Sequence, residues 1–322
     1  MNRKMWRRIL FYTLHSIGFI LLYLVVKNLD FRKLLTLMMD FPAWKVVLGL
    51  ILLVLVYLIK TLRWLSINSI LDIRTGYSNL FVFFLFSGFL SAITPGRLGE
   101  LAKIWFLKKK YPVSLPLATS SVLLDRLWDV ILMSMMALSS MVLLISRFEF
   151  MAWSVILIAV LLLGCLLAIL FPAIIFKPLL FVVRRQDLKD EIESVFRLWV
   201  KNRYLFLVPG LSTSLAAFLL LALIPVMFSV ELNAPVSFTT SISAVSLSNI
   251  LSSIPVTVAG FGTRELVFTQ VWGLNGYEPE VAISVSTVYF IITYLGSMLL
   301  GGIVYLVSFR KIFRLKDLQS KS

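Results

Sequence analysis

The sequence has few of the residues on which metal binding and redox chemistry depend. Its 322 residues include one cysteine, Cys165, and one histidine, His15. A single cysteine excludes intramolecular disulfides, CxxC redox motifs and thiolate metal clusters. With one histidine we also expect no zinc or haem chemistry. The sequence therefore predicts no metal site and no cofactor.

Signatures of soluble catalysis are also missing from the sequence. It contains no Walker motif, no HExxH, no GxSxG and no DxD pair in a polar loop. These patterns hold phosphates, zinc, a nucleophilic serine or a metal-bound sugar nucleotide in the enzymes that use them. ATP-driven transport is therefore not encoded in this chain, and we expect a protein that is not an enzyme.

Charge is scarce, whereas apolar residues are abundant. Charged residues make up 15% of the chain and hydrophobic residues 60%, with a mean hydropathy of +0.95. Apolar runs long enough to cross a bilayer recur along the chain. The sequence predicts an all-α polytopic membrane protein that forms one integral membrane domain, residues 1–322.

The charges that do occur are mostly positive, giving a net charge of +15. Most of the lysines and arginines flank the apolar runs, as the positive-inside rule requires of cytoplasmic loops. We therefore predict a multi-pass protein of the cell inner membrane with cytoplasmic N- and C-termini. The positive charge indicates contact with lipid headgroups rather than nucleic acid.

Two similar broken segments organise the chain, residues 87–100 and 248–265. Each begins as an apolar run with serine, leucine and isoleucine at matching places. Each then breaks at a proline, passes through glycines and ends in arginine and glutamate. Such a break is tolerated inside a membrane only where protein or a watery cavity satisfies the backbone. Paired broken segments in two halves of a chain point to a transporter's binding site.

The arms around each break are too short to cross the membrane. They cover residues 80–94 and 98–107 in the first segment, and 238–254 and 263–274 in the second. An arm of about 15 residues spans about 22 Å, less than the roughly 30 Å of the hydrocarbon core. We therefore predict two re-entrant helical hairpins with tips near Arg97 and at 255–262.

The distribution of basic loops fixes the predicted topology. If the first broken segment crossed fully, the basic loops after it would lie outside, against the positive-inside rule. About six full transmembrane helices then accompany the two hairpins: 9–26, 45–65, 115–145, 152–176, 204–230 and 281–309. The second of these ends in Lys60, Arg63 and Trp64, which predict a basic and aromatic anchor at the membrane interface. The hairpins enter from opposite sides, so residues 1–147 and 152–322 form an inverted repeat. A basic cytoplasmic linker at 177–203 carries an amphipathic helix.

The residues at the breaks are the candidate substrate-binding residues. Each set opens a half-helix, whose N-terminal dipole favours an anion, and arginine adds bidentate phosphate recognition. The alternative is structural: Arg97 pairs with Glu100, and Arg264 with Glu265, to close the fold. The set comprises Thr94, Pro95, Gly96, Arg97, Gly99, Glu100, Lys103, Gly260, Gly262, Thr263, Arg264 and Glu265.

Three charges lie inside one predicted span: Asp125, Arg126 and Asp129. Asp125 and Asp129 are four residues apart and share a helix face, while Arg126 points elsewhere. Ionisable groups at this depth require a partner, and we expect Arg97, Arg264 or Lys103. Proton coupling and a structural ion pair are both open roles.

These motifs resemble a known family. Thr94-Pro-Gly-Arg-Leu-Gly-Glu100, Leu124-Asp-Arg-Leu-Trp-Asp129 and the stretch 255–265 are similar to three hallmarks of the lysylphosphatidylglycerol synthase transmembrane region, a flippase-like integral membrane family. The resemblance implies lipid translocation across the inner membrane. No soluble aminoacyl-transferase domain follows the last span, so lysyl transfer from tRNA is not expected.

The sequence thus predicts a flippase for a phospholipid or another phosphate-bearing lipid. Its expected partners are an anionic or polyprenyl-type lipid and a separate lipid-modifying enzyme. The alternative is a membrane-embedded enzyme or an accessory subunit in lipid-linked sugar or glycolipid synthesis. A scaffold for a synthase encoded elsewhere is a third interpretation.

Overall fold

The computed structural model describes residues 41–144, 151–253, 260 and 262–309, with single positions at 32, 36 and 39. Regular structure in this part of the chain is helical throughout. The predicted first span at 9–26 with His15, most of the second tip and the C-terminal tail lie outside the described residues.

The helices are numbered here in chain order. They are α1 Ala43–Ile70, α2 Tyr77–Ile93, α3 Ala102–Lys110, α4 Leu115–Leu144, α5 Met151–Leu170, α6 Ala173–Val182, α7 Gln186–Asn202, α8 Leu207–Glu231, α9 Phe238–Ser253, α10 Thr263–Gly273, α11 Pro279–Phe290 and α12 Gly296–Val304. A 3₁₀ segment, Pro95–Leu101, joins α2 to α3. A π-helical turn, Ile291–Leu295, joins α11 to α12.

Several helices are long and apolar enough to cross a membrane. Among the described residues these are α1, α8 and the continuous helix Pro279–Val307, with 28, 25 and 29 residues. Each exceeds the roughly 20 residues that a bilayer requires. Helix α4 is longer still, with 30 residues. The prediction of a polytopic α-helical membrane protein is confirmed, while the number of six spans stays a prediction.

The segment predicted as a span at 152–176 is not one straight helix. The chain bends by 77° between α5 and α6. Pro172 lies at the bend, where it precedes the first residue of α6. Proline has no N–H to donate and its ring clashes with the preceding helical turn. Together, α5 and α6 therefore form a broken apolar segment.

The amphipathic helix predicted within 177–203 is present as α7. Its apolar residues Ile192, Val195 and Trp199 are buried. Trp199 Nε1 donates a hydrogen bond to the carbonyl of Ile169 at the end of α5, at 3.2 Å. The apolar face of α7 therefore packs on the protein itself, while its cytoplasmic location stays a prediction.

Helices α2 and α3 form a hairpin around the first break. The rings of Phe83 and Phe106, one from each arm, stack with centroids 5.1 Å apart. At the open end, the Tyr111 hydroxyl after α3 accepts hydrogen bonds from Asn79 Nδ2 at 3.0 Å and from the Gly76 amide at 3.4 Å. The chain therefore leaves the hairpin close to where it entered.

Helices α9 and α10 form a corresponding hairpin around the second break. Tyr277, after α10, donates a hydrogen bond from its hydroxyl to the Pro235 carbonyl, before α9, at 2.7 Å. At the other end, Gly260 lies against Ser252, whose Oγ would be 2.0 Å from any Cβ at position 260. A tyrosine thus closes the open end of both hairpins.

The two halves hold each other's hairpins. Helix α2 of the first hairpin packs on α12, and helix α9 of the second packs on α4. A Cβ on Gly301 would come within 2.5 Å of the Leu85 carbonyl oxygen, so α12 and α2 approach at backbone distance. Helices α1 and α8, the long helices before the hairpins, also pack on each other.

A substitution at Gly99 tests how closely the two sides of the first hairpin pack. A Cβ at this position would lie 2.2 Å from the Leu90 carbonyl carbon, which is backbone and cannot turn aside. Gly99→Ala should destabilise the protein by about 1–3 kcal/mol, as overpacking does. Thermal unfolding in detergent would measure this as a lower melting temperature.

Gly164→Ala is the matched control. Within the described residues, no atom outside the local backbone lies within 4 Å of a Cβ at this helical position, and alanine favours a helix over glycine. Its melting temperature should therefore stay unchanged or rise. Equal melting temperatures for the two variants would contradict the close packing of the hairpin.

Candidate functional site

Arg63, in the middle of the molecule, binds both aspartates of α4. Its side chain is fully buried. Nε donates to Asp125 Oδ1 at 2.8 Å, and Nη1 donates to Asp129 Oδ1 at 2.8 Å. Nη1 also reaches the Ser214 hydroxyl of α8 at 2.6 Å. The four-residue spacing on α4 places both carboxylates on one face, as the sequence predicts, and the shared guanidinium is that of Arg63, which the sequence analysis does not name as a partner.

Two lysines complete the coordination of the aspartates. Lys103 Nζ lies 2.6 Å from Asp125 Oδ2, and Lys60 Nζ lies 2.9 Å from Asp129 Oδ2. Each aspartate therefore contacts two cations. Of the three expected partners of the aspartates, Lys103 contacts Asp125, whereas the described contacts of Arg97 and Arg264 are with other residues. The ion pairs of the aspartates are the contacts that their structural interpretation requires.

Glu100 joins this network from the first hairpin. Its Oε1 lies 2.6 Å from Arg126 Nη2, and its Oε2 lies 3.4 Å from Lys103 Nζ. Arg126 also donates to the Arg97 carbonyl at 3.1 Å. The structural interpretation of the sequence predicts an ion pair between Arg97 and Glu100. In the structure, Glu100 instead pairs with Arg126 and Lys103.

Arg97 extends from the first tip to the second half of the chain. Its Nη2 donates to Asn249 Oδ1 of α9 at 3.1 Å and to the Tyr294 hydroxyl at 2.8 Å. Its backbone has a φ of 56°, a left-handed conformation uncommon for residues other than glycine. Such backbone strain is found where surrounding structure holds a functional side chain.

The rest of the first tip holds Arg97 in place. Pro95 and Gly96 open the 3₁₀ segment. The Thr94 hydroxyl donates to the Leu90 carbonyl at 2.8 Å and accepts from the Gly99 amide at 2.7 Å. These candidate residues therefore shape the tip through backbone contacts.

The sequence interpretation of Lys60, Arg63 and Trp64 as an interfacial anchor is wrong. Trp64 is fully buried, and its Nε1 donates to the Ser121 hydroxyl at 2.9 Å. Lys103 Nζ lies 5.2 Å from the centre of the Trp64 ring. Helix α1 continues to Ile70, so these residues lie within the helix and not at its end.

Candidate residues of the second tip form a separate buried cluster. Arg264 pairs with Glu265 and donates from Nε to the Ser286 hydroxyl at 3.2 Å. Glu265 Oε2 accepts from the Gly262 amide at 2.8 Å, and the Thr263 hydroxyl donates to the Gly260 carbonyl at 3.0 Å. The capping carboxylate occupies the N-terminus of α10. The ion pair between Arg264 and Glu265 that the structural interpretation predicts is thus present.

A cavity of about 90 Å³ lies beside the network, with room for several water molecules. Lys60, Arg97 and Glu100 contribute charge to its wall. Neutral polar groups line the remainder together with apolar side chains; they are Tyr57, Ser91, Asn249, Tyr289, Thr293, Tyr294 and Ser297. The lining comes from both halves of the chain, and Arg264 and Glu265 are not among the described lining residues.

Sequence reasoning missed several of these residues. Lys60 and Arg63 lie near the end of the predicted span 45–65, where basic residues are typical of the membrane interface. The signal that could have identified them is the pair of carboxylates on α4, because buried carboxylates require cations from a neighbouring helix. Asn249 lay in a serine-rich arm and Tyr294 in an apolar run. Their roles depend on contacts between residues more than 150 positions apart, which no local pattern contains.

The fold and the site together define a multi-pass α-helical membrane protein with a buried charge network. The chain belongs to the family described as the lysylphosphatidylglycerol synthase TM region, whose match covers residues 9–301. It is 24% identical to the UPF0104 membrane protein MJ1595 of Methanocaldococcus jannaschii, over 93% of this chain and 95% of the relative. It is also 24% identical to MJ1078 of that organism, another UPF0104 membrane protein, over 70% of this chain and 97% of the relative.

The network predicts a steep stability cost for losing its central cation. Arg63→Met leaves two buried carboxylates with one cation fewer each, which should cost about 3–5 kcal/mol. Unfolding in detergent would measure the loss. Arg185→Met is the control, because Arg185 and its partner Asp187 are 73% and 63% exposed and exposed pairs contribute little. Similar stability for both variants would contradict the central role of Arg63.

Proposed function

We propose that this protein moves a phosphate-bearing lipid between the leaflets of the cytoplasmic membrane. One observation carries the proposal: the wall of a cavity built by both halves of the chain holds two cations, Lys60 and Arg97, and one carboxylate, Glu100. Buried charge of this kind inside a membrane protein favours a functional role. Arginine recognises phosphate with its planar donors, and lysine adds a point charge.

The position of the cavity supports a route across the membrane. Tyr57 and Tyr294 line it from two long helices, Ala43–Ile70 and Pro279–Val307. Each tyrosine lies about 20 Å along its helix from either end. The lining is therefore near mid-membrane when these helices span the bilayer, which is where transporters of this kind bind substrate.

The packing of the hairpins supports an inverted repeat. Helix α2 packs on α12 as α9 packs on α4, and α1 packs on α8. These are the reciprocal contacts that a two-fold axis between the halves would produce. The hairpins would then enter from opposite sides, with both termini in the cytoplasm, and rocking of one half against the other would expose the cavity alternately.

Arg97 supplies a mechanism for headgroup binding. Its present hydrogen-bond acceptors, Asn249 and Tyr294, are neutral. A phosphate oxygen forms a stronger, charge-assisted bond with a guanidinium. A headgroup that binds Arg97 would therefore replace its hydrogen bonds to Asn249 and Tyr294 and weaken a contact between the halves. The aspartates of α4 would hold Arg63 and Lys103 fixed meanwhile.

The family relationship supports a lipid-related role. The family is described by the transmembrane region of an enzyme that makes an aminoacylated phospholipid. The relatives carry membrane-protein names alone. Lipid movement is thus the function that combines the family, the hairpins and the cationic cavity.

A flipping assay in proteoliposomes tests the proposal. Fluorescent phospholipids in the outer leaflet are bleached by a membrane-impermeant reductant, and the native protein should make the inner-leaflet pool accessible. Arg97→Gln should slow flipping at least about tenfold, because one charge-assisted hydrogen bond is lost. Arg97→Lys keeps the charge and should retain part of the rate.

Arg185→Gln, at an exposed position, should flip lipids at the native rate. Melting temperatures of all variants establish that each is folded. If a folded Arg97→Gln variant flips lipids at the native rate, Arg97 does not bind the headgroup. Absence of flipping by the native protein with anionic, zwitterionic and polyprenyl-phosphate lipids would contradict the proposed function.

A further inference from the structure

The outward face of helix α6 is apolar and exposed. Phe181 and Val182 are 91% and 73% exposed, and Ile174 at the start of the helix is 54% exposed. Ile174, Pro178 and Phe181 follow each other at intervals of four and three residues, so they lie on one side of the helix. Phe171, just before the bend, is also exposed and extends this surface. An apolar surface of this kind marks a place where another molecule covers the protein.

Helix α6 is too short to cross the membrane, and the helix before it is long enough to cross alone. Helix α5 has 20 residues, or about 30 Å at 1.5 Å per residue, which matches the hydrocarbon core. Helix α6 has 10 residues and extends for about 15 Å. Because the chain bends by 77° between them, α6 runs nearly parallel to the membrane surface when α5 crosses it. That is the orientation of an interfacial helix, which lies in the membrane plane.

Helix α7 covers the opposite face of α6. Phe176, on that face, is buried, and its ring centroid lies 5.4 Å from that of Trp199 and 5.6 Å from that of Phe196. The outer side of α7 is polar, and its exposed residues are Gln186, Asp187, Asp190, Glu191, Glu193, Ser194, Arg197 and Lys201. The two helices therefore form a pair with an apolar outer surface on α6 and a polar outer surface on α7.

The charges of the two helices are also separated. Residues 171–186 contain three bases and no aspartate or glutamate, whereas four acidic residues follow within 187–193. Lys177 and Arg184 are exposed, and Arg185 pairs with Asp187. A base beside an apolar face keeps its stem on the apolar surface and extends its charge to the headgroups, and anionic lipids attract such bases. Lys177 and Arg184 thus fit the phosphates of a leaflet that holds the face of α6.

We propose that α6 is an in-plane membrane anchor, whose outward face lies among the acyl chains of an anionic leaflet and whose Lys177 and Arg184 contact lipid phosphates. A second copy of this chain is a poorer partner for the face, because a two-fold contact would bring the same bases of both copies together. The leaflet is the one next to the basic linker, which the positive-inside rule places at the cytoplasm. This inference does not depend on the proposed lipid transport.

The anchor is connected to the centre of the molecule. Phe176 and Trp199 belong to one apolar cluster with Ile67 of α1 and Trp128 of α4, the residue before Asp129. The cluster therefore includes both helices that carry the central ion pairs. A leaflet that holds α6 would stabilise the packing around α1 and α4. The protein should thus be more stable in an anionic membrane than in a zwitterionic one.

Fluorescence of a label on α6 tests the position of the helix. In a Cys165→Ser background, Phe181→Cys and the matched control Glu193→Cys, on the polar side of α7, each carry an environment-sensitive fluorophore. The proteins are placed in vesicles of phosphatidylglycerol and phosphatidylcholine. At position 181 the emission should shift to the blue, and lipids with a spin label on the acyl chain should quench it. At position 193 the emission should be that of a label in water, without quenching.

Three outcomes would overturn the inference. Water-like emission at position 181 would mean that the leaflet does not hold α6. A blue shift there without quenching by the spin-labelled lipids would mean that protein, and not lipid, covers the face. Equal quenching at positions 181 and 193 would place α7 in the lipid as well and contradict the division between the two helices.

A second measurement tests the two bases. Raising the share of phosphatidylglycerol in lipid nanodiscs should raise the melting temperature of the native protein, because a ligand that binds the folded state stabilises it. The double variant Lys177→Gln and Arg184→Gln should lose most of this rise, whereas Arg197→Gln, on the polar side of α7, should keep it. An undiminished rise in the double variant, or the same loss in the Arg197→Gln variant, would overturn the role of these bases.

Discussion

The structure depends on one interaction: a buried guanidinium, Arg63, held between Asp125 and Asp129. It joins α1 to α4, and its bond to Ser214 adds α8. Burying a charge inside a membrane protein is costly unless partners compensate it. Each aspartate also pairs with a lysine, so the buried charges are compensated by a network of ion pairs. This network holds three helices and the first hairpin in fixed positions relative to each other.

This network fixes the backbone of the first tip, whereas the Arg97 side chain has only neutral hydrogen-bond acceptors among the described residues. Behind Arg97, Glu100 binds Arg126, which in turn holds the Arg97 carbonyl. The Arg97 side chain is left to neutral acceptors from the other half of the chain. The Arg97 backbone is thus tied to an ion pair, whereas its side chain is held by hydrogen bonds to neutral groups. In the proposed mechanism, a headgroup that binds this arginine would alter how the halves meet without disturbing the ion pairs.

The charged residues of the second tip contact each other rather than the cavity. Its arginine and glutamate neutralise each other, and the glutamate also caps the helix that follows. The tips are alike in sequence, yet in the described structure only the first contributes charge to the cavity. If the halves form the proposed inverted repeat, one copy of the motif would support the fold and the other would contact the proposed ligand.

Much of the fold could be predicted from the sequence. Proline and glycine breaks between short apolar arms predicted both hairpins, because arms of that length cannot cross a bilayer. The spacing of Asp125 and Asp129 predicted a shared partner face. The glutamate three residues after Gly262 is in the position from which a carboxylate accepts a hydrogen bond from the N-cap amide, a role that the headgroup interpretation overlooked.

The remaining features depend on distant contacts. A basic and aromatic cluster near the end of an apolar run is typical of an interfacial anchor, so Arg63 was assigned to the surface. Only the packing of α1 against α4 reveals its partners. The bend at Pro172 and the contact of Arg97 with Tyr294 likewise depend on tertiary context.

The most direct test of the account is the accessibility of the cavity to a charged reagent. In a Cys165→Ser background, Thr293→Cys places a thiol on the cavity wall, and Leu299→Cys places one on the exposed apolar face of the same helix. Measured with the protein in membranes, a negatively charged thiosulfonate should modify position 293, and phosphatidylglycerol should slow the reaction. Position 299 should stay unmodified. Equal inertness of both positions would contradict a water-accessible, anion-attracting cavity inside the membrane.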